Sequence, residues 1–194
     1  MRITGGIWRS RRLPTGKLRK VRPATDQQRE SVFNMLGNLL DFEGVSVLDL
    51  FAGSGSFGLE ALSRGAAFAL FVEQDRGNVR VLKEILKQLQ AAQRTRVIGM
   101  NVRRFVQLPR QQFAPTAFQV VFYDPPYHQS YGDVFPLLLR SGYVQPGSIF
   151  VVKRSARSSL DPPSYCAVYR SRKFGDTLID LWLVEASEVF SDED

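Results

Sequence analysis

The sequence predicts an α/β fold: a mostly parallel sheet, covered by helices on both faces and finished by an antiparallel hairpin. Three observations predict it. Between residues 45 and 153, short apolar runs ending in turn residues alternate with amphipathic helical stretches, the pattern of repeated βαβ units. A Gly-x-Gly-x-x-Gly turn, made by Gly53, Gly55 and Gly58, stands between the first run and its helix. The last two extended runs are joined only by a tight turn at Gly175-Asp176, and a turn that short can join only antiparallel strands.

In chain order, residues 1–22 mix Gly, Pro and Arg with the isolated hydrophobics Ile3, Ile7, Trp8, Leu13 and Leu18, and read as a short hairpin or arm. Thr25-Asp26-Gln27-Gln28 forms a capping box, in which side chains at both ends of the first turn satisfy free backbone N–H groups. The helix it opens is expected to run to about Leu40, because Val32, Phe33, Leu36 and Leu40 recur at helical spacing. Apolar runs then predict strands at 45–50, 68–73, 96–100, 118–123 and 148–153. Helices are expected at 56–64, 78–92 and 134–141, and the final hairpin at 166–172 and 177–184. No internal repeat interrupts this order.

At 194 residues and 44% hydrophobic content, the chain suits one globular domain able to bury a core without staples. The expected division is a basic arm at 1–24, a domain at 25–186 and an acidic tail at 187–194. The single Cys166 excludes an internal disulfide and a cysteine-clustered zinc site, and the single His128 argues against a Ser/His/Asp triad. No metal site is expected. No signal-peptide pattern or membrane-length apolar run is present, so a cytoplasmic protein away from membranes is expected, and a monomer.

The net charge of +7 is unevenly spread: eight basic and no acidic residues lie between Met1 and Arg22, while Glu185, Glu188, Asp192, Glu193 and Asp194 crowd the other end. A one-sided basic segment attracts a polyanion through Coulomb attraction and counterion release. Arg9, Arg11, Arg12, Lys17, Arg19, Lys20 and Arg22 are the candidate RNA contacts. On charge alone, a solvated basic arm explains them equally well.

The glycine turn lies where a nucleoside-type cofactor binds in open α/β sheets. Glu73, 20 residues beyond Gly53 at the end of the second strand, is placed to accept hydrogen bonds from both ribose hydroxyls of an adenosine. NAD also fits such a loop, so the neighbours must discriminate. Asp49, at the end of the first strand, would repel a pyrophosphate but suits the ammonium of a methionine moiety. A second mononucleotide half-site would not fit in the remaining chain beside a substrate domain. Asp49 has bland alternatives, capping the next helix or pairing with an arginine. Phe51 and Gln74 flank these groups and join Gly53, Gly55 and, beyond the fourth strand, Asp124 in the candidate cofactor set.

Asp124-Pro125-Pro126-Tyr127 follows the fourth strand, at the carboxyl edge where such sheets hold ligands. An exocyclic base amine is a poor nucleophile because its lone pair is delocalised into the ring. Acceptors aimed at its N–H groups localise that pair, and the Asp124 carboxylate and Pro125 carbonyl are suited to this. Consecutive prolines stiffen the loop, and Tyr127 offers a stacking face worth roughly 1–3 kcal/mol per base. Asp161-Pro162-Pro163 is an internal control: no apolar strand precedes it and no aromatic follows immediately, so it reads as a plain loop.

Residues 48–55 and 124–127 together look like the cofactor and acceptor motifs of Rossmann-like amino-methyltransferases. Residues 2–8, Arg11-Arg12-Leu13, residues 22–26, Arg29-Glu30, Phe33-Asn34 and the tail segment 174–177 resemble the RsmD family. Members of that family methylate the 2-amino group of one guanine in 16S, small-subunit, ribosomal RNA. The resemblance implies a Rossmann-like seven-stranded methyltransferase sheet and S-adenosyl-L-methionine as cofactor. It implies 16S ribosomal RNA as substrate, free or within an assembled or partly assembled small subunit. It also places Asn101 and Val102 at the adenine, Glu73 at the ribose, and Asp124 to Tyr127 around the guanine. Ala24 and Val102 depart from the family pattern, which favours a hydroxyl residue at the first and a small one at the second. DNA adenine-amine methylation, protein glutamine-amide methylation and non-enzymatic RNA binding are the competing readings.

Overall fold

The computed structural model describes residues 1–14, 24–114, 116–126 and 131–186. Lys17, Arg19, Lys20, Arg22, Tyr127, His128 and the acidic 187–194 lie outside them. Seven strands form one sheet in the order β3-β2-β1-β4-β5-β7-β6. They are β1 (Ser46–Leu50), β2 (Phe68–Glu73), β3 (Thr95–Gly99), β4 (Val120–Tyr123), β5 (Ile149–Ser155), β6 (Cys166–Phe174) and β7 (Thr177–Val184). The first five are mutually parallel; β7 runs antiparallel between β5 and β6.

Alternation along each strand divides the core in two. Val47, Phe71, Phe122, Val151 and Leu181 face one layer, with α1 (Asp26–Leu36), α2 (Ser56–Ser63) and α3 (Arg76–Gln88). Leu48, Leu50, Val72, Val121, Phe150 and Trp182 face the other, with α4 (Val102–Phe105) and α5 (Val134–Arg140). Continuous apolar runs rather than polar-apolar alternation are what a sheet covered on both faces requires.

Two expectations need correction. Helix α1 has its capping box, Thr25 Oγ1 accepting from Gln28 N–H and Gln28 Oε1 from Thr25 N–H, but it ends at Leu36. Gly37 caps it and residues 38–40 turn away, so Leu40 keeps its apolar contact without helical backbone. The four-residue α4 was not expected, because one turn is too short to show a period.

The N-terminal segment is a hairpin for at least its first 14 residues. Arg2 and Arg12 bridge antiparallel, Ile3 N–H donates to Arg11 O, and Leu13 N–H donates to Met1 O. Ile3, Trp8 and Leu13 are buried in the same core layer as α1 and α2. Glu60 of α2, fully buried, anchors it. Its carboxylate accepts from the Thr4 N–H (2.9 Å) and hydroxyl (2.7 Å), pairs with Arg64 at 3.0 Å, and lies 3.6 Å from the buried Arg29. Trp8 N–H donates to Ser63 Oγ at the far end of α2, while the Met1 sulfur approaches Ser54 in the glycine loop. The hairpin thus lies lengthwise on α2, with Arg12 toward the glycine loop and Arg9 toward the other edge of the sheet.

Candidate active site

The carboxyl edge of the sheet brings the sequence-identified acids together. After β1 the chain turns sharply: Phe51 has φ +59°, rare for a bulky side chain, and Gly55 has φ +70° as the residue before α2. Strain of this kind costs about 1–3 kcal/mol and persists only where surroundings over-determine it. Here the Phe51 ring is held edge-on by Tyr131 at 4.6 Å and Tyr123 at 5.5 Å. Gly58 is required for a different reason, since a Cβ there would stand 2.4 Å from the Phe71 ring of β2. It lets α2 sit down on the sheet, the packing role of the third glycine.

Glu73 closes the loop from the next strand. Gly53 N–H donates to its Oε2 and Asp75 N–H to its Oε1, both at 2.7 Å. The carboxylate is thereby fixed beside the glycine turn, and each oxygen keeps lone-pair capacity for a further donor. Asp49 accepts from Gly58 N–H at 3.0 Å through Oδ2, so it does cap the helix that follows, as one of its alternatives had it. Only that oxygen is engaged among the described residues. Burial raises the Asp49 carboxyl well above the ordinary range; the Gly58 hydrogen bond opposes this, and the charges of Asp124 and Glu73 add to the rise. Three carboxylates at one sheet edge make a place where a cation is welcome.

Asn101 and Val102 meet Glu73 and Gln74 across the ends of β2 and β3. Asn101 Oδ1 accepts from Arg103 N–H and caps α4, and its Nδ2 donates to Gln74 Oε1 at 3.0 Å. Met100 N–H donates to Glu73 O, which ties the two loops together. Asn101 is exposed and Val102 is buried. The residues named for the cofactor therefore share one rim.

Asp124 stands one residue beyond β4. Its Oδ2 accepts from Lys153 Nζ at 2.8 Å; the lysine is 7% exposed and the aspartate 23%. Burial raises the Asp124 carboxyl above its ordinary value and Lys153 pulls it back. Sequence reasoning missed Lys153, which reads locally as the polar end of a strand. The signal lies in the register: Tyr123 pairs with Val152, so the next residues, Asp124 and Lys153, are neighbours. Pro125 is half-buried and Pro126 exposed, while Asp161 of the decoy motif sits exposed in a loop. Arg9, Arg11 and Arg12 are all exposed on the hairpin. Among the described residues no three His, Cys, Asp or Glu side chains, these carboxylates included, are grouped so that they could hold a metal ion.

The comparisons with known proteins agree over nearly the whole chain. Residues 1–183 match the family model described as "Conserved hypothetical protein 95". The Escherichia coli K12 protein named "Ribosomal RNA small subunit methyltransferase D" is 34% identical over 188 residues, 96% of this chain and 91% of its own. The chain belongs to the RsmD family. The Haemophilus influenzae protein of the same name is 32% identical, over 90% of this chain and 89% of its own. Among solved structures, yhhF from Escherichia coli superposes with a TM-score of 0.84 at 33% identity, covering 96% of this chain and 99% of that one. A hypothetical protein of Thermus thermophilus gives 0.77 at 32%, with the same coverage. The RsmD fold is therefore shared from the N-terminal hairpin to β7.

Proposed function

We propose that this RsmD-family chain transfers a methyl group from S-adenosyl-L-methionine to the exocyclic 2-amino group of a guanine in small-subunit ribosomal RNA. The observation that carries the reading is the placement of Asp124, held by Lys153, on the strand beside Asp49 and the glycine loop. Acceptor and cofactor groups then belong to adjacent parallel strands, β4 and β1, roughly 5 Å apart.

The donor set fits the cofactor. Glu73 supplies a fixed carboxylate for the ribose hydroxyls, Asp49 a buried carboxylate for the ammonium, and Asn101 with Val102 a rim for the adenine. When bound, the cofactor supplies a methyl group on an already activated sulfonium, so no protein nucleophile is required. The chain's residues supply alignment and electrostatics. Asp124 accepts one N–H of the target amine and the Pro125 carbonyl the other, which localises the nitrogen lone pair toward the glycine loop. Lys153 fixes the Asp124 carboxylate in place and favours its ionised, accepting form. Tyr127 supplies a stacking face for the base. Arg9, Arg11 and Arg12, with Lys17, Arg19, Lys20 and Arg22, contact RNA phosphates.

The test is tritiated cofactor incubated with small ribosomal subunits purified from cells lacking the modification, followed by nucleoside analysis. Label in N2-methylguanosine is the expected result. Label appearing instead in another nucleoside, or in the ribosomal protein fraction, would overturn the reading.

A further inference from the structure

Edge strand β6 carries a second charged surface, on the opposite flank of the sheet from the N-terminal hairpin. We infer that Arg170 and Arg172 of β6 bind the phosphodiester backbone of the substrate RNA beyond its target nucleotide; this rests on the ribosomal-RNA reading above.

The placement follows from register. Lys153 of β5 pairs with Ile179 of β7, and Ile179 pairs with Arg172 of β6, so Lys153 and Arg172 occupy one row of the sheet. Two strand spacings separate them, about 10 Å. Val151, Leu181 and Arg170 form the next row, and Ser155, Thr177 and Phe174 the row at the turn. Residues in one row point to the same face. Ile179, Leu181 and Val151 belong to the layer containing α1 and α2, and Phe174 packs against that layer. Arg170 and Arg172 therefore project on the face that carries Lys153 and Asp124. The Arg172 guanidinium lies 5.7 Å from the Phe174 ring centroid, which places those two side chains on the same side.

The chemistry of the strip is that of a polyanion contact. Arg170, Arg172 and Lys173 are exposed, and none pairs with an acid among the described residues. Strand β6 itself has no acidic residue. Charges on an edge strand also guard against edge-to-edge pairing. That guard works from either face, whereas both arginines share the face of the acceptor site and Lys173 takes the other. Arginine suits phosphate through its planar, two-pronged donor geometry. With the N-terminal hairpin on the other flank, RNA would be held on both sides of the target base.

The experiment uses the full chain with undermethylated small subunits, comparing wild type, Arg170→Ala/Arg172→Ala, the charge-keeping Arg170→Lys/Arg172→Lys, and Lys173→Ala. Two lost phosphate contacts should flatten the log-log salt dependence of RNA binding by roughly 1.4–1.8, at about 0.7–0.9 per contact. KM for the subunit should rise several-fold in the alanine pair, with kcat and S-adenosylhomocysteine affinity unchanged. The lysine pair should restore the salt slope. An unchanged slope and KM in the alanine pair would overturn the inference, as would an equal loss from Lys173→Ala alone. If wild type methylates subunits normally and the alanine pair behaves like it, the failure belongs to this surface alone. Wild type failing to methylate any small-subunit guanine removes the ribosomal-RNA reading, and this surface with it.

Discussion

Lys153 Nζ donates to Asp124 Oδ2 at 2.8 Å, an ion pair between neighbouring strand ends with the lysine almost wholly buried. Burial alone would favour a neutral Asp124, and the lysine is what opposes this. Replacing Lys153 with Met should raise the Asp124 carboxyl further. If the ionised carboxylate is the working acceptor, the acid limb of the kcat-pH profile moves to higher pH. Lys153→Arg should recover part of the shift. A profile unmoved in Lys153→Met would show that the pair is structural only.

Asp124→Ala should abolish methyl transfer while cofactor affinity falls far less. An interaction that strengthens in the transition state appears in kcat, and losing one preorganised contact costs on the order of 10² to 10³ in rate. Asp161→Ala, in the exposed decoy motif, should leave turnover near wild type. Equal loss in both variants, measured under saturating substrate, would show that the acceptor site has been placed wrongly.

Glu73→Ala should weaken S-adenosylhomocysteine binding more than tenfold by calorimetry. One charge-assisted hydrogen bond contributes about 1.5–3 kcal/mol, and 1.4 kcal/mol is a factor of ten. The structure adds a second loss, because Glu73 also holds the Gly53 and Asp75 N–H groups. Glu73→Gln keeps one acceptor oxygen and should fall between wild type and alanine.

On the proposed reading, Asp49 should link cofactor binding to pH. Its folded-state value is raised, so its contribution to stability is complete below the ordinary carboxylate range and lost as pH climbs through the raised value. Asp49→Asn should therefore stabilise the cofactor-free protein at pH 8 more than at pH 5 in thermal melts. A bound ammonium favours the ionised form, so S-adenosylhomocysteine binding should release protons, seen as buffer-dependent calorimetric heats. Asp49→Asn should bind more weakly and release none by this route.

Glu60→Ala should destabilise the fold without touching the cofactor groups. It removes the acceptor of two Thr4 hydrogen bonds and one partner of the buried Arg29. Breaking a buried pair from one side costs about 3–5 kcal/mol. At roughly 2–4 °C per kcal/mol for a chain this size, the melting temperature should drop by roughly 6–20 °C. The same geometry decides how the arm must be tested. Deleting residues 1–20 would strip Ile3, Trp8 and Leu13 from the core, so charge-removing changes at Arg9, Arg11 and Arg12 are the cleaner probe.

Much of this architecture was legible because short-range rules governed it. Strands β2 and β7 begin and end where their apolar runs do, and the glycine turn sits between strand and helix as its motif requires. What escaped depends on distance along the chain. The Thr4 contact with Glu60 spans 56 residues and Lys153 with Asp124 spans 29, so no local window shows either. Asp49 was legible as a candidate but not in its detail, because its hydrogen bond from Gly58 crosses from β1 to the first turn of α2, nine residues on.

The insertion of β7 between β5 and β6 has a consequence for how the molecule is made. Synthesis runs from the N-terminus, so residues 177–184 emerge after every other strand, yet they are the pairing partner of both β5 and β6. Until then β5 presents an unpaired edge with Lys153 near its end, and β6 has nothing to join. Such an edge is a template for wrong pairing. A nascent chain can pair β1 to β5 early, but β5, the strand that carries Lys153, acquires its outer neighbour only when the last strand arrives.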